Sequence, residues 1–575
     1  MNTIAATEAK SHLRRVKVST LVLLLPAFTV HGEVQIAADF TNKDHQRQDL
    51  HDMWNVVNRR KLDAERGALD LREGDLRLNL IRIIGGATTT WTGDMDGAKK
   101  DFDYDPILWD EEKKKYIYHM DRLKARFDRI IHGDKRPIHQ VAIDKPPWAF
   151  QRGYTFIPEG KNDGQHFRKN EEISEYGNAL PPSDPEKYYK FIQEVMKLLM
   201  KEYPNLYKTW RYRIHTEVES HGHWAGTEKE FVEYYANTAR AIRSVYPEAK
   251  VGLHTHKATF GQNGKARINY KGEAVASYAD ALIEYCHENP DVMYDFWGIS
   301  HYNQLNMPGQ CKLDWFDEYF GPFVNHPKWK PRTILSVDEA SVIVSMQPFS
   351  HCTTSHREAY NVGISKLLYE RYDAGFRHVH MEDNRKGDEP WPAPDIVSTM
   401  IGKTRWQSRS SGKPLIEGNL IDALVAREKS NERFDVLIYN YNEISLEYQN
   451  HEPVTVALTT PAPAGTRMRY RKMVYGKDQN AFQTFLLKEP ASGWIKQGWD
   501  RNGDPRRILN EDGETAWKTF TNPNPRKWTP WMEVITLARN DGGEGSVAAI
   551  KTELPSFAFE KIEVVVKGSL RLEVK

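Results

Sequence analysis

Cysteine is scarce: in 575 residues there are three, Cys286, Cys311 and Cys352. An odd set admits at most one internal disulfide, so no disulfide framework holds the fold together. Cys286 falls in an apolar helix-like run and reads as a buried thiol. Cys311 and Cys352 fall in two loops at the same end of one domain and are expected to pair. Charge of one sign is also lacking. With 80 Lys+Arg against 79 Asp+Glu, the formal net charge is +1, which leaves no dominant basic face for nucleic acid. Beyond the amino end no apolar run is long enough to cross a bilayer. Internal repeats and low-complexity runs are missing too. Aromatic residues are plentiful, with 16 Trp and 27 Tyr. Such amphipathic rings fill cores and interfaces, and also stack on sugar faces in carbohydrate clefts.

Residues 1–32 have the plan of a signal peptide. Arg14, Arg15 and Lys17 form a positive region, "VSTLVLLLPAFTV" an apolar one, and small residues permit cleavage after Gly32. An amino-terminal membrane anchor is the competing reading. The expectation is export to the periplasm or medium, with no membrane span after cleavage.

The length calls for more than one core. From about residue 75, short apolar strands alternate with amphipathic helices. Strands are expected in "LRLNLIRII" (76–84), "IHQVAI" (138–143), "KTWRYRIH", "KVGLHTH" (250–256), "DFWGISHY" (295–302), "TILSVDE" (333–339) and "FRHVHME" (376–382). Between them lies a helix capped by Asp184 with Pro185 at its first position, and another opened by a Thr227/Glu230 capping box. Seven strands are legible, and the eighth is expected within residues 86–116. Repeated βα units predict an α/β fold, a (β/α)8 TIM barrel. A doubly wound sheet competes, but no glycine-rich phosphate loop follows the first strand. After residue 405 short strands dominate and predict a C-terminal β-sandwich. The expected division is 1–32 signal peptide, 33–69 an amino-terminal segment pairing with the sandwich, 70–405 the barrel and 406–575 the sandwich.

In such barrels the chemistry sits at the carboxyl ends of strands. Glu217 ends "WRYRIHTE" and Glu339 ends "TILSVDE", so two carboxylates face one mouth from different walls. That is the arrangement glycoside hydrolysis needs, one acid protonating the leaving oxygen and the other attacking or activating water. Either Glu alone would read as a salt-bridged rim residue; the pair at strand ends favours chemistry.

The chain around these acids resembles glycoside hydrolase family 39, the β-xylosidases and α-iduronidases of clan A. In that family a strand ends in Trp-Asn-Glu-Pro, followed by a Phe-Trp pair, a helix and a "kVGG" strand. Here "RIHTEVESHGHWAGTEKEF" and "AKVG" run in register with it, which implies Glu217 as acid/base. "SVDEAS" is similar to the nucleophile strand and implies Glu339 as nucleophile. "LIRIIGG" is similar to the first strand, implying a role for Arg82 in substrate binding. "MEDNRKGDEPWP", which holds Glu389, resembles the last-strand loop. The resemblance implies that Tyr302 holds Glu339 by its hydroxyl. It also implies that Trp148, His215, Trp224, His254 and His301 line sugar subsites; core packing accounts for each of these equally well. Departures from the pattern are instructive. His215-Thr216 replaces Trp-Asn, Val218 replaces Pro, and Ala340 replaces the Trp after the nucleophile. Thr216 is shorter than the asparagine that binds a substrate 2-hydroxyl, so a sugar other than xylose is expected, from a plant or algal polysaccharide or its oligosaccharides.

The retaining mechanism requires Glu217 to be protonated before attack. Lys145, Lys257, Arg385 and Lys386 fall in mouth loops, where plain solvation accounts for them slightly better than an anionic sugar. No cofactor is implied. Two rivals remain open. One is a metal-dependent barrel hydrolase using His221/His223, His254/His256 or His378/His380, since positions i and i+2 on a strand point the same way. The other is a non-catalytic carbohydrate-binding barrel. "DRNGDPRRILNE" (500–511) has calcium-loop spacing, but Pro505 occupies the position that needs glycine, so a solvated loop is expected.

Overall fold

The computed structural model describes residues 33–50, 54–56, 80–82, 106–128, 131–132, 140–143, 145–150, 173–174, 177–178, 180–219, 223–255, 267–304, 312–343, 355–371, 376–381 and, short gaps apart, 392–566. Residues 1–32, Lys257, Cys311, Cys352, Arg385, Lys386 and Glu389 lie outside these, so the expected signal peptide and disulfide do too.

Eight strands form one all-parallel sheet: Trp54–Val56, Leu80–Arg82, Gln140–Ile143, Arg211–Ile214, Lys250–Thr255, Phe296–Gln304, Ile334–Ile343 and Phe376–Met381. Each pairs with its sequence neighbour from the second strand to the eighth, and the eighth pairs with the first through Val379↔Trp54. The first strand thus sits beyond the eighth, and no ladder joins it to the second among the described residues. This is a TIM-barrel-like α/β unit.

Of the range 86–116 expected to hold the eighth strand, the described residues, 106–116, do not join the parallel sheet. The remaining strand is Trp54–Val56, inside the segment expected to lie ahead of the barrel. Three residues are too few to show a periodicity, which is why the pattern conceals it. Residues Ile107–Asp110 and Lys115–Tyr118 instead form a small antiparallel hairpin.

The helices bury the stripes their spacing marks. Pro185–Glu202 turns Tyr188, Phe191, Ile192, Val195, Met196 and Leu199 inward, each contributing roughly 1.5–3 kcal/mol of burial. Asp184 caps it by accepting from the Lys187 amide at 3.0 Å. The Thr227/Glu230 capping box is complete at the start of Glu228–Val245, with bonds of 3.1 and 2.9 Å. Among the described residues no helix is long and apolar enough to cross a membrane.

The carboxyl-terminal domain has a five-stranded and a seven-stranded sheet. Ile36, Val456 and Ile550 from the first meet Val425, Val436, Ile438, Ile562 and Val564 from the second in one core. Val34–Asp39 joins the five-stranded sheet, parallel to Glu452–Thr460. Arg433–Asn442, in the seven-stranded sheet, is apolar on both faces. Val436 and Ile438 belong to the sheet–sheet core, whereas Leu437, Tyr439 and Tyr441 join the core of the barrel-like unit.

Candidate active site

Just past the fourth strand the backbone leaves regular geometry. His215 and Glu217 both have positive φ, 68° and 42°, a region that non-glycine residues enter only when neighbours hold them there. The restraints are visible on both sides. The His215 amide donates to Ile143 of the third strand at 3.0 Å, and the Val218 amide to His254 of the fifth at 3.4 Å. Further on, a Glu219 oxygen accepts from the Ala279 amide at 3.1 Å, where helix Tyr278–Glu288 begins. The Gly226 carbonyl accepts from the Tyr278 hydroxyl. The loop carrying Glu217 is thus fastened to two strands and a helix.

Glu217 is nearly enclosed, with 8% of its surface exposed. His223 returns to it, Nε2 lying 3.3 Å from a carboxylate oxygen. His215 and Trp224 are fully buried. Their rings meet edge to face at 5.4 Å, and the imidazole also meets Phe231 and Tyr234 of the following helix. Both residues therefore build the wall behind Glu217. Thr216 is buried as well and accepts from Arg213 Nη2 at 2.7 Å.

Beneath the acids lies a buried polar layer. Asp338 immediately precedes Glu339 on the seventh strand. It receives Arg211 Nη2 at 3.2 Å and Arg213 Nη1 at 3.3 Å from the fourth strand, Gln140 Nε2 at 2.9 Å from the third, and Ser336 Oγ at 2.6 Å. Burial opposes ionisation of Asp338, but the guanidiniums of Arg211 and Arg213, His254 and the Ser336 hydroxyl outweigh it. They hold the carboxyl well below the usual range. Burial lowers Arg211 to about 10, partly offset by Asp338. Gly298 on the sixth strand makes room, since a Cβ there would lie 2.4 Å from the Asp338 carboxyl carbon.

Asp338 is also the odd residue of a β-bulge. Val337 pairs with Ile299 and Glu339 with Ser300, so Asp338 has no opposite number, and the register toward the eighth strand shifts over the same residues. A bulge at this point resets the alternation of the strand by one residue just before Glu339. Of Glu339, Arg82, Trp148 and Tyr302 the structure describes the backbone: Arg82 pairs with Ala142, Tyr302 with Ser341, and Trp148 sits in a short turn after the third strand. His254 Nε2 lies 2.9 Å from Ser300 Oγ. His301 stacks on Trp315 with centroids 3.7 Å apart. Lys145, expected to be solvated, is instead buried just after the third strand.

Of the His-x-His pairs, His223 and His254 have described side chains, one on Glu217 and the other on Ser300. The sequence reading passed over Gln140, Arg211, Arg213, Glu219 and Asp338. The available signal was the pair Arg211/Arg213 at i and i+2 in a strand otherwise apolar, which places two cations on one face.

A family model, Glycosyl hydrolases family 39, matches residues 164–311. An alpha-1,4-L-rhamnosidase of Formosa agariphila is 24% identical over 555 residues, covering 95% of this chain and 96% of that protein. The GH39 enzyme from Xanthomonas axonopodis pv. citri superposes with a TM-score of 0.60 at 13% identity, over 94% of this chain and 100% of that one. A monomeric beta-xylosidase from Caulobacter crescentus CB15 gives 0.55 at 13%, over 93% and 100%. The chain is a glycoside hydrolase, similar to family 39 over residues 164–311. That likeness favours a glycosidase over the metal-dependent hydrolase and the non-catalytic sugar binder.

Proposed function

We propose that this glycosidase is an exported retaining enzyme that cleaves α-L-rhamnosyl linkages in a plant or algal polysaccharide or its oligosaccharides, with Glu217 as acid/base and Glu339 as nucleophile. The observation that carries the roles is placement. Glu217 lies three residues past the end of the fourth strand and Glu339 lies in the seventh, and their preceding residues Thr216 and Asp338 bond to one buried guanidinium. The sugar rests on the end-to-end match to a protein named as an alpha-1,4-L-rhamnosidase. The reading takes the eight-stranded sheet as a closed (β/α)8 barrel and residues 1–32 as an export signal.

In the first half of the cycle the Glu217 proton passes to the glycosidic oxygen while a Glu339 oxygen attacks the anomeric carbon. The leaving group departs as an alcohol and an ester links sugar to enzyme. Glu217, now a carboxylate, takes a proton from water as that water attacks the same carbon and releases Glu339. His223, 3.3 Å from Glu217, is the side chain placed to share charge with the acid in both halves.

Hydrolysis of 4-nitrophenyl α-L-rhamnopyranoside and of rhamnose-containing oligosaccharides tests the reading. Glu217→Gln is expected to lower kcat by about 10²–10⁴-fold, and Glu339→Gln to abolish turnover. Azide should restore activity to Glu339→Gly and give a glycosyl azide of inverted configuration. Wild-type turnover in either Gln variant would reject the assigned roles. Cleavage of another glycoside but no rhamnoside would reject the sugar alone.

A further inference from the structure

Arg213 is fully buried on the fourth strand and bonds in two directions. Its Nη2 donates to Thr216 Oγ1 at 2.7 Å, and its Nη1 to Asp338 Oδ2 at 3.3 Å. Thr216 is the residue before Glu217, and Asp338 the residue before Glu339. The fourth and seventh strands are separated in the sheet by the fifth and sixth, so no backbone ladder couples the two peptide segments directly. The guanidinium does so across the interior.

Each end of this link is held at a place where regular structure breaks. Thr216 lies between two residues of positive φ, where side-chain bonds must over-determine the backbone. Asp338 is the unpaired residue of the bulge, and Gln140, Ser336 and Arg211 fix its carboxylate from other directions. A rigid planar fork that is always charged meets a hydroxyl and a carboxylate at once from separate nitrogens; an ammonium, a single point on a flexible stem, does not span the two in the same fixed geometry.

We propose that Arg213 is a positioning residue that, braced on the independently held Asp338 of the seventh strand, keeps Glu217 at its working distance from Glu339. This rests on the roles assigned to those two acids above. Retention requires the carboxyls at about 5–5.5 Å, and a shift of about 1 Å in a reacting group costs about 10²-fold in rate. A link between the residues preceding both acids is placed to hold that spacing through both halves of the cycle.

Arg213→Lys keeps a charge opposite Asp338 and gives up the reach to Thr216. Thr216→Val cuts the same link from the other end without altering any charge. Both variants are compared with wild type on phenyl and 4-nitrophenyl α-L-rhamnopyranosides, with rates corrected for the folded fraction by calorimetry. Phenolate is a poor leaving group that needs the Glu217 proton, and nitrophenolate needs it far less. In each variant kcat is expected to fall about 10²-fold on the phenyl substrate and less than about 10-fold on the nitrophenyl one, with KM within about 3-fold of wild type. Equal losses on both substrates, or wild-type kcat on both, would overturn the proposal. Failure of the underlying roles shows separately, as wild-type turnover in Glu217→Gln or Glu339→Gln.

Discussion

Asp338 keeps a full negative charge with 2% of its surface exposed, because two guanidiniums and two neutral donors surround it. Removing one partner of such a buried set leaves the others uncompensated, at about 3–5 kcal/mol. Asp338→Asn is therefore expected to lose about that much stability at neutral pH in urea titrations. The pH dependence has a definite sign. A carboxyl whose folded pKa is depressed stabilises fully above its unfolded value, near ~3.9, and loses that contribution as pH falls toward the folded one. The gap between wild type and Asp338→Asn should then be flat from pH 7 to 5 and close below about pH 4. A gap that stays constant down to pH 3 would show that the charge is not the source. Glu217 was legible because it ends an apolar run beside a turn. Asp338 was not, because inside a strand a buried charge is unmarked until its partner from a distant strand is known; Arg211 and Arg213 offered only their i, i+2 spacing, which does not name the acid they meet.

At the scale of single elements, helix Tyr278–Glu288 separates structural from functional capping. Ser277 Oγ accepts from the Asp280 amide at 3.0 Å, while Glu219, from the loop that carries Glu217, accepts from Ala279 at 3.1 Å. Ser277→Ala and Glu219→Ala should each cost about 1 kcal/mol in thermal or urea unfolding. Their kinetics should diverge, with kcat unchanged in Ser277→Ala and lowered in Glu219→Ala as the acid's loop loses its anchor. Equal kcat in the two variants would show that the loop does not need the helix. Seven of the eight parallel strands were visible in sequence because each falls in a short run of apolar or β-favouring residues that alternates with amphipathic helical segments. Trp54–Val56 was not, since its pairing with Phe376–Met381 depends on a partner more than 300 positions away.

At the scale of the whole molecule, the barrel-like unit and the paired sheets share material that neither can give up. The strand Arg433–Asn442 offers Tyr439 and Tyr441 to helix Ser355–Arg371, with Tyr441 5.6 Å from Tyr360 between ring centroids. The Leu313 amide donates to Glu443 at 2.7 Å. The chain also crosses more than once, since Val34–Asp39 lies in the five-stranded sheet and Trp54–Val56 in the parallel one. Separating the units would expose the second face of a strand buried on both sides, so calorimetry should give one cooperative transition in which activity and sheet signal are lost together. Gly363 offers a way to strain this contact. A Cβ there would stand 2.9 Å from a Leu313 methyl and 3.2 Å from the Tyr439 ring, too close unless those side chains or the helix shift. Gly363→Val should lower the Tm of the single transition by several degrees, as about 1–3 kcal/mol of overpacking implies. Two resolved transitions, with only the barrel-like unit destabilised, would show that the sheets fold independently of it.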